Sequence, residues 1–562
     1  MKKIWLAIKG RFDALLVSPH LPVILALLSI FLTLPSLWVG LQFDDYLLEQ
    51  SVIESPDTAI NDMFIFMEGD TKQAEKYMDV GIYPWFNLPE GKNAFWRPLS
   101  ALTHRLDFTF LPARPAIMHA ENILWFALSI LLVSLFYREI LPVPVAGLAA
   151  LLFTVDDAHG YAVGWISNRN GLMSFAFGIL SLWLYHRYAT RKKINLLFLS
   201  TASFALALFS AEAGIAIFGY LAAYVLVFWG VSTRAWLTLL PHGLIFSIWA
   251  YFYRLGDFGG WGTSYIDPVH EPISFLRAAI ERIPVQSLAL FFHPPAEFYP
   301  FVTDAGLKAL WVGTGIGLLV YLGLNVYPLI RQDKNLQFLS AGAGLSLLLN
   351  SSSLPANRLL FFAGFGGFAI LSSFLLNEKP GWVKRPLWVV HLFMAALLLP
   401  VTSLSPKLFG NIEHAALNAP IKPTVIILSA PSAFHADFFS LLRARDGANV
   451  PERVWYLGAG LSPMKVERTG ENTLVIHALD GYISGFDAVF RGADHPIEAG
   501  EIIDLSGLKI TVQNLTRDGR PSTVSFNFAE ALSSKKYQWL IWHENRFVEW
   551  QVPAVGEAIE IQ

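Results

Sequence analysis

The chain has 562 residues, 54% hydrophobic and only 15% charged, against about 25% charged in soluble globular proteins. A net charge of −3 leaves no electrostatic footprint for a nucleic-acid partner, and the absence of cysteine excludes disulfides and thiolate metal sites. What remains is a mainly α polytopic membrane protein.

Lys2, Lys3, Lys9 and Arg11 predict a cytoplasmic N-terminus. The apolar run Leu21 to Leu41 is long and lacks a small-residue cleavage site, so it reads as a retained first helix. Residues 42–118 form a long outer loop in which Trp85, Phe86, Phe95 and Trp96 suggest an interfacial segment. Helices are predicted over about 119–137, 141–155, 171–186, 194–209, 213–230 and 235–252. Arg187, Arg191, Lys192 and Lys193 mark the inner side. A second outer loop spans 253–306. Within it Ile283 to Phe292, bounded by His293-Pro294-Pro295, is too short to cross and predicts a re-entrant or interfacial helix. Helices over about 307–330, 335–350, 359–376 and 386–404 bring the crossings to about eleven, with the C-terminus outside. Inner turns hold Lys or Arg, among them Lys379, Lys384 and Arg385, whereas the short outer turns hold only Arg169 and Arg358.

Two modules follow: residues 1–410, and a small strand-rich (α+β) domain at 421–562 on the outer side. In the second, strands are predicted at 424–428, 454–457, 474–476, 510–512, 523–528 and 539–542, with a helix over Phe434 to Arg445. Trp455, Trp539, Trp542 and Trp550 read as its core, or as sugar-stacking surfaces.

The polar residues of interest gather on the outer face. Asp44 and Asp45 follow the first helix. Arg97, His104 and Asp107 lie in the first loop, and His119 and Asn122 open the second helix. Asp156, Asp157, His159 and Arg169 occupy one short turn, while Glu212 and Arg358 occupy two others. A carboxylate here is suited to general-base attack on a hydroxyl, and arginines to holding a phosphate. Phosphate beside a base at membrane level fits a lipid-phosphate-linked sugar donor, and no nucleotide-binding fingerprint is present. Four aspartates, Asp44, Asp45, Asp156 and Asp157, also raise a divalent cation as a possible cofactor, against carboxylates without metal.

These motifs resemble the GT-C fold membrane glycosyltransferases, in particular the protein O-mannosyltransferase-like group and its transmembrane-and-TPR members. The acidic pair is matched by Asp44-Asp45, the aromatic-Arg-Pro-Leu stretch by Trp96 to Leu99, and the His-x-x-Asn pair by His119 and Asn122. The stretch Asp156 to Arg169 is similar to a family segment ending in Trp-Ile-x-x-Arg, and Ala211-Glu212 stands where the family has Lys-Glu. Departures are Asp156-Asp157 for His-Pro, Tyr161 for Glu and Ala211 for Lys, and no TPR repeats follow.

The resemblance implies Asp44, with Asp45 close behind, as general base. It implies Arg97, Arg169 and Arg358 as ligands of the donor phosphate, and His104, His119, Asn122, Asp156, Asp157, His159 and Glu212 as the cavity. Partners would be a polyprenyl-phosphate-linked sugar, membrane lipids, and a hydroxyl acceptor on protein, glycan or lipid, with no nucleic acid. The location would be a bacterial inner membrane. Two other readings stay open: a transporter or flippase, disfavoured because the acids cluster at helix ends rather than at the bilayer midplane, and a scaffold.

Overall fold

The computed structural model describes residues 2–377, 381–410, 416, 417, 419 and 421–561. Lys379 of the predicted inner turns lies outside them. A helix occupies every segment predicted to cross. Among the described residues, six apolar helical stretches are long enough to span a membrane: Leu21–Trp38, Pro115–Ile140, Glu212–Trp229, Thr233–Leu255, Ala305–Gln332 and Lys384–Thr402. Val143–Val155, Ile194–Ser210 and Phe361–Leu376 are apolar but shorter. Arg169–Arg191 and Lys334–Asn350 complete the bundle.

Local chemistry fixes several helix ends. Pro115 opens Pro115–Ile140, where a missing N–H costs nothing. Asp304 caps Ala305–Gln332 by accepting from the Leu307 N–H at 2.8 Å, and Asp333 caps Lys334–Asn350 through the Asn335 N–H at 2.7 Å. The predicted short helix at 283–292 is the second half of Pro272–Phe291. Ile273, Leu276 and Ile280 form an exposed apolar stripe along its first half. That spacing makes one apolar helix face, and it starts before the apolar run that first drew attention.

Two large hydrophobic cores organise the chain. One fills the helical bundle. The other joins buried residues of the 42–118 loop, such as Tyr46, Trp85 and Phe86, to those of the strand-rich region, such as Phe438, Trp455 and Phe526. The 42–118 loop and the strand-rich region therefore share one core.

The strand-rich region carries the predicted strands. Among the described residues, β4 (Thr424–Ser429), β5 (Arg453–Tyr456), β11 (Tyr537–His543) and β12 (Arg546–Glu549) form one sheet in the order β12-β11-β4-β5. The helix Phe434–Arg445 crosses between the parallel strands β4 and β5. A second, antiparallel sheet contains β6 (Met464–Arg468), β7 (Thr473–Ala478), β8 (Ile502–Leu505), β9 (Leu508–Leu515), β10 (Pro521–Phe528) and β13 (Ala558–Ile561). Trp455 and Trp539 are buried in the core, and Trp542 and Trp550 pack against it. A small antiparallel sheet of β1 (Ile65–Glu68), β2 (Lys92–Ala94) and β3 (Gly259–Trp261) ties the two long loops together.

Candidate active site

The first apolar helix ends in a 3-10 turn, Leu34–Trp38, and the chain then reverses into the helix Asp44–Glu54. The pivot is Phe43, a non-glycine residue at φ 44° and ψ −114°. Such a backbone costs about 1–3 kcal/mol and persists only where its surroundings hold it. The Phe43 ring meets Trp165, Phe434 and Phe438 edge-on, at 6.4, 6.5 and 6.3 Å between centroids.

The two acids that follow differ in kind. Asp45 is buried. Its Oδ2 accepts from the Gln42 N–H at 2.9 Å and its Oδ1 from the Ser167 N–H at 2.8 Å. Both oxygens are thus committed to holding the pivot against the 166–168 turn. Asp44 is half-buried; its carboxylate accepts from its own backbone N–H and, among the described residues, has no ion pair and no hydrogen bond to another side chain. Burial pushes its carboxyl up to about 6, and the guanidiniums of Arg358 and Arg97 pull against that rise.

The three arginines also differ. Arg358 lies over the rings of Trp165 at 5.3 Å and Tyr161 at 5.9 Å, and among the described residues it has no carboxylate ion pair. It sits on the turn Asn357–Leu359, which a reciprocal pair of bonds fixes. The Asn357 N–H donates to Glu297 Oε1 at 2.6 Å, and the Ala296 N–H donates to Asn357 Oδ1 at 2.9 Å. Burial pushes the Glu297 carboxyl up, with Arg358 opposing. Arg97 donates from Nε to Glu212 Oε2 at 2.8 Å and stands over Phe95 and Phe64 at 4.4 and 5.2 Å. It is held but half-buried and still acts on Asp44.

Arg169 is fully buried and held on three sides. Its Nη1 pairs with Asp107 and, at 2.9 Å, with Glu121, its Nε donates to Asn122 Oδ1 at 3.0 Å, and its Nη2 donates to the Met118 carbonyl at 3.1 Å. Four of its five N–H groups are engaged in this way, and the whole side chain is shut off from any surface a phosphate could approach. The geometry makes Arg169 a brace rather than a ligand.

The remaining predicted residues divide likewise. His119 donates from Nε2 to the Gly40 carbonyl at 2.9 Å, and Asn122 donates to the Trp165 carbonyl at 2.9 Å. Both hold the walls of the site. His104 is buried against Phe64, and His159 is packed between Phe361 and Phe153 at 4.3 and 4.6 Å. Neither reaches the Asp44 carboxylate. Asp156 caps its own turn through the Ala158 N–H at 3.4 Å, and the Asp157 carbonyl accepts from Thr402 Oγ1 at 2.8 Å. Burial pushes both carboxyls up, and Asp157 pushes Asp156 further. The segment can lie this close to the 395–402 helix because Gly160 and Gly164 have no side chain. A Cβ there would stand 2.0 Å from Thr402 Oγ1 and 2.1 Å from the Ser403 carbonyl oxygen.

The site therefore gathers Asp44, Arg358 and Arg97, with Glu212, Glu297, Tyr161 and Trp165 around them. Sequence reasoning missed Glu297. Tyr161 and Trp165, four apart in the turn, were the available signal for an aromatic seat under a guanidinium. The four aspartates do not gather as a cation site. Both oxygens of Asp45 are taken by amides, and among the described residues no three His, Asp or Glu side chains converge to hold a metal ion.

Fold and site together define a polytopic helical membrane protein with an acid and two arginines at one end of its bundle, beneath a strand-rich region. No family model matches the chain. Over 114 residues it is 31% identical to protein O-mannosyl-transferase Tmtc1 of Drosophila melanogaster, a match spanning 20% of this chain and 13% of that protein. Among solved structures it is similar to the apo oligosaccharyltransferase of Archaeoglobus fulgidus, with TM-score 0.44 and 13% identity over 78% of this chain and 64% of that one. It is also similar to ArnT of Cupriavidus metallidurans in the apo state, with TM-score 0.39 and 14% identity over 75% of this chain and 84% of that one.

Proposed function

We propose that this chain is a membrane glycosyltransferase that moves a sugar from a polyprenyl-phosphate carrier to a hydroxyl on a protein, glycan or lipid. One observation carries the reading. A carboxylate without a side-chain partner, Asp44, lies within electrostatic reach of Arg358, a guanidinium with no carboxylate ion pair among the described residues. The local likeness to Tmtc1, whose name denotes protein O-mannosyl transfer, supports the reaction class.

In this reading Asp44 takes the proton of the acceptor hydroxyl as its oxygen bonds to the anomeric carbon. The bond from that carbon to the carrier phosphate breaks, and its electron pair leaves with the phosphate. Arg358 and Arg97 neutralise the charge that develops there. Glu297 and Asn357 set the turn under Arg358, and Glu212 aims Arg97. Asp45 and Arg169 position the segments without touching substrate. The proposed setting is the outer face of a bacterial inner membrane, with the strand-rich region on the acceptor side.

The test is to incubate the purified full-length protein with polyprenyl-phosphate-linked sugars and a hydroxyl acceptor, and to measure release of free lipid phosphate. Acceptor-dependent release that disappears in Asp44→Asn supports the reading. Movement of the intact donor across liposomes lacking any acceptor, with no lipid phosphate released, supports a transporter instead.

A further inference from the structure

A second cavity, of about 220 Å³, lies on the other side of the Asp44–Glu54 helix. Its walls include Gly40, Tyr46, Glu49, Phe108, Arg114 and Arg445. Tyr46 lies two residues after Asp44, about 200° around the helix, and Glu49 three residues further on shares its face. The cavity is therefore separate from the site of Asp44.

Its chemistry is specific. Two arginines and one glutamate line the cavity. Arg445, from the strand-rich region, pairs with Glu49 at 2.7 Å and stands over the Tyr46 ring at 5.2 Å. Arg114 is exposed and, among the described residues, makes no ion pair or side-chain hydrogen bond. The rim is apolar. Leu41, Phe108 and Met118 line it, and on the chain segments that flank Arg114, Leu106, Phe110 and Ile117 expose 48, 73 and 41% of their surface. The cavity opens between the exit of the first apolar helix and the start of Pro115–Ile140, the level at which a bilayer presents its headgroups. A basic mouth with an apolar apron at that level matches a molecule with a phosphate head and a hydrocarbon tail.

We propose that this cavity binds the phosphate headgroup of an anionic phospholipid. Arg114 is its principal contact, and the acyl chains run over Phe110 and Ile117. The bound lipid would brace the Glu49–Arg445 junction, where the strand-rich region meets the helix that carries Asp44. A free phosphate compound shares the headgroup chemistry, but it would leave the apolar rim without a partner. The proposal does not rest on sugar transfer.

The experiment uses the purified full-length protein in detergent, incubated with phosphatidylglycerol bearing a photoactivatable acyl chain. Cross-linked residues are mapped by mass spectrometry, with Arg114→Ala, Arg114→Glu and Arg358→Ala run in parallel. Cross-links are expected around 106–117. Labelling there should fall about tenfold in Arg114→Ala, the effect of losing one charge-assisted phosphate contact, and further in Arg114→Glu. Arg358→Ala should keep it. Because Arg114 is exposed, its variants retain the fold, which thermal unfolding checks directly. Labelling spread evenly over the apolar helices, or unchanged in both Arg114 variants, would overturn the assignment. So would full competition by soluble glycerol phosphate at concentrations matching the lipid, which would show that the tail contributes nothing.

Discussion

Asp44 and Asp45 are neighbours of identical chemistry, yet their replacement by asparagine should have opposite signatures. Asp44→Asn removes a carboxylate that binds no side chain, so the fold should survive. The loss falls on chemistry, where a general base contributes about 10²–10⁴ in rate. Asp45→Asn puts an NH₂ group where one of two backbone N–H donors, of Gln42 or Ser167, needs an acceptor. One buried bond is then unmade, at a cost of about 1–3 kcal/mol, and the loss falls on thermal stability. The assay is initial lipid-phosphate release from pH 5 to 8, with thermal unfolding in the same detergent. The pH profile is a further check. Burial raises the Asp44 carboxyl from 3.8 to about 6, so as pH falls below about 6 the base is protonated. The wild-type rate should then drop about tenfold per unit. An Asp44→Asn protein that is folded and transfers within about tenfold of wild type would refute the reasoning, as would a flat wild-type profile.

Three further outcomes follow from the same geometry. Arg358→Ala removes the larger of the two cationic influences that hold the Asp44 carboxyl down, so the midpoint of the pH profile should move upward while KM for the donor rises. Arg358→Lys should restore the midpoint better than the KM, because an ammonium keeps the charge but not the planar seat over Trp165. Asp107→Asn leaves the buried Arg169 with Glu121 as its remaining carboxylate among the described residues, which should cost about 1–3 kcal/mol and appear as a fall in unfolding temperature or in yield. Asp487, buried in the strand-rich region, accepts from the Ala433 N–H at 2.8 Å, and burial pushes its carboxyl up to about 7. The folded chain thus binds a proton that the unfolded chain has released, and stability falls as pH rises from about 4 to about 7. Asp487→Asn keeps the acceptor without the charge, so its unfolding temperature should exceed wild type at pH 8 and match it near pH 4.

Much of the fold was legible because one physical signal governs it. Apolar runs of membrane length give helices, and runs such as Thr424 to Leu428 give strands wherever turns flank them. The first-loop acids were legible as a pair, since two carboxylates after an apolar helix are costly. Which of them is available was not. That depends on the Ser167 N–H, 122 residues away. Arg169 outranked Arg358 on motif likeness, but its partners Asp107, Glu121 and Asn122 come from two other helices. The same motif position serves a ligand or a brace according to what those helices deliver. Glu297 carried no local signal at all, because its function is to accept from a backbone N–H 60 residues further on.

The strand-rich region is part of the machinery that holds the acid in place. The Phe43 backbone costs about 1–3 kcal/mol, and each edge-on aromatic pair returns about 0.5–1.5 kcal/mol. Of the three rings around Phe43, Phe434 and Phe438 belong to the helix between β4 and β5. Trp165 alone would offset only part of the strain. The same region also satisfies the loop's buried polar groups. Arg491 donates to the carbonyls of Phe86 and Asn87 at 2.8 and 3.2 Å, and Trp455 Nε1 donates to the Asp79 carbonyl at 3.0 Å. Removing the region would take these donors away and expose the apolar core it shares with the loop. The position of Asp44 is therefore a property of the whole chain: the membrane helix delivers the residue, and a domain nearly 400 residues later sets the angle at which it is presented.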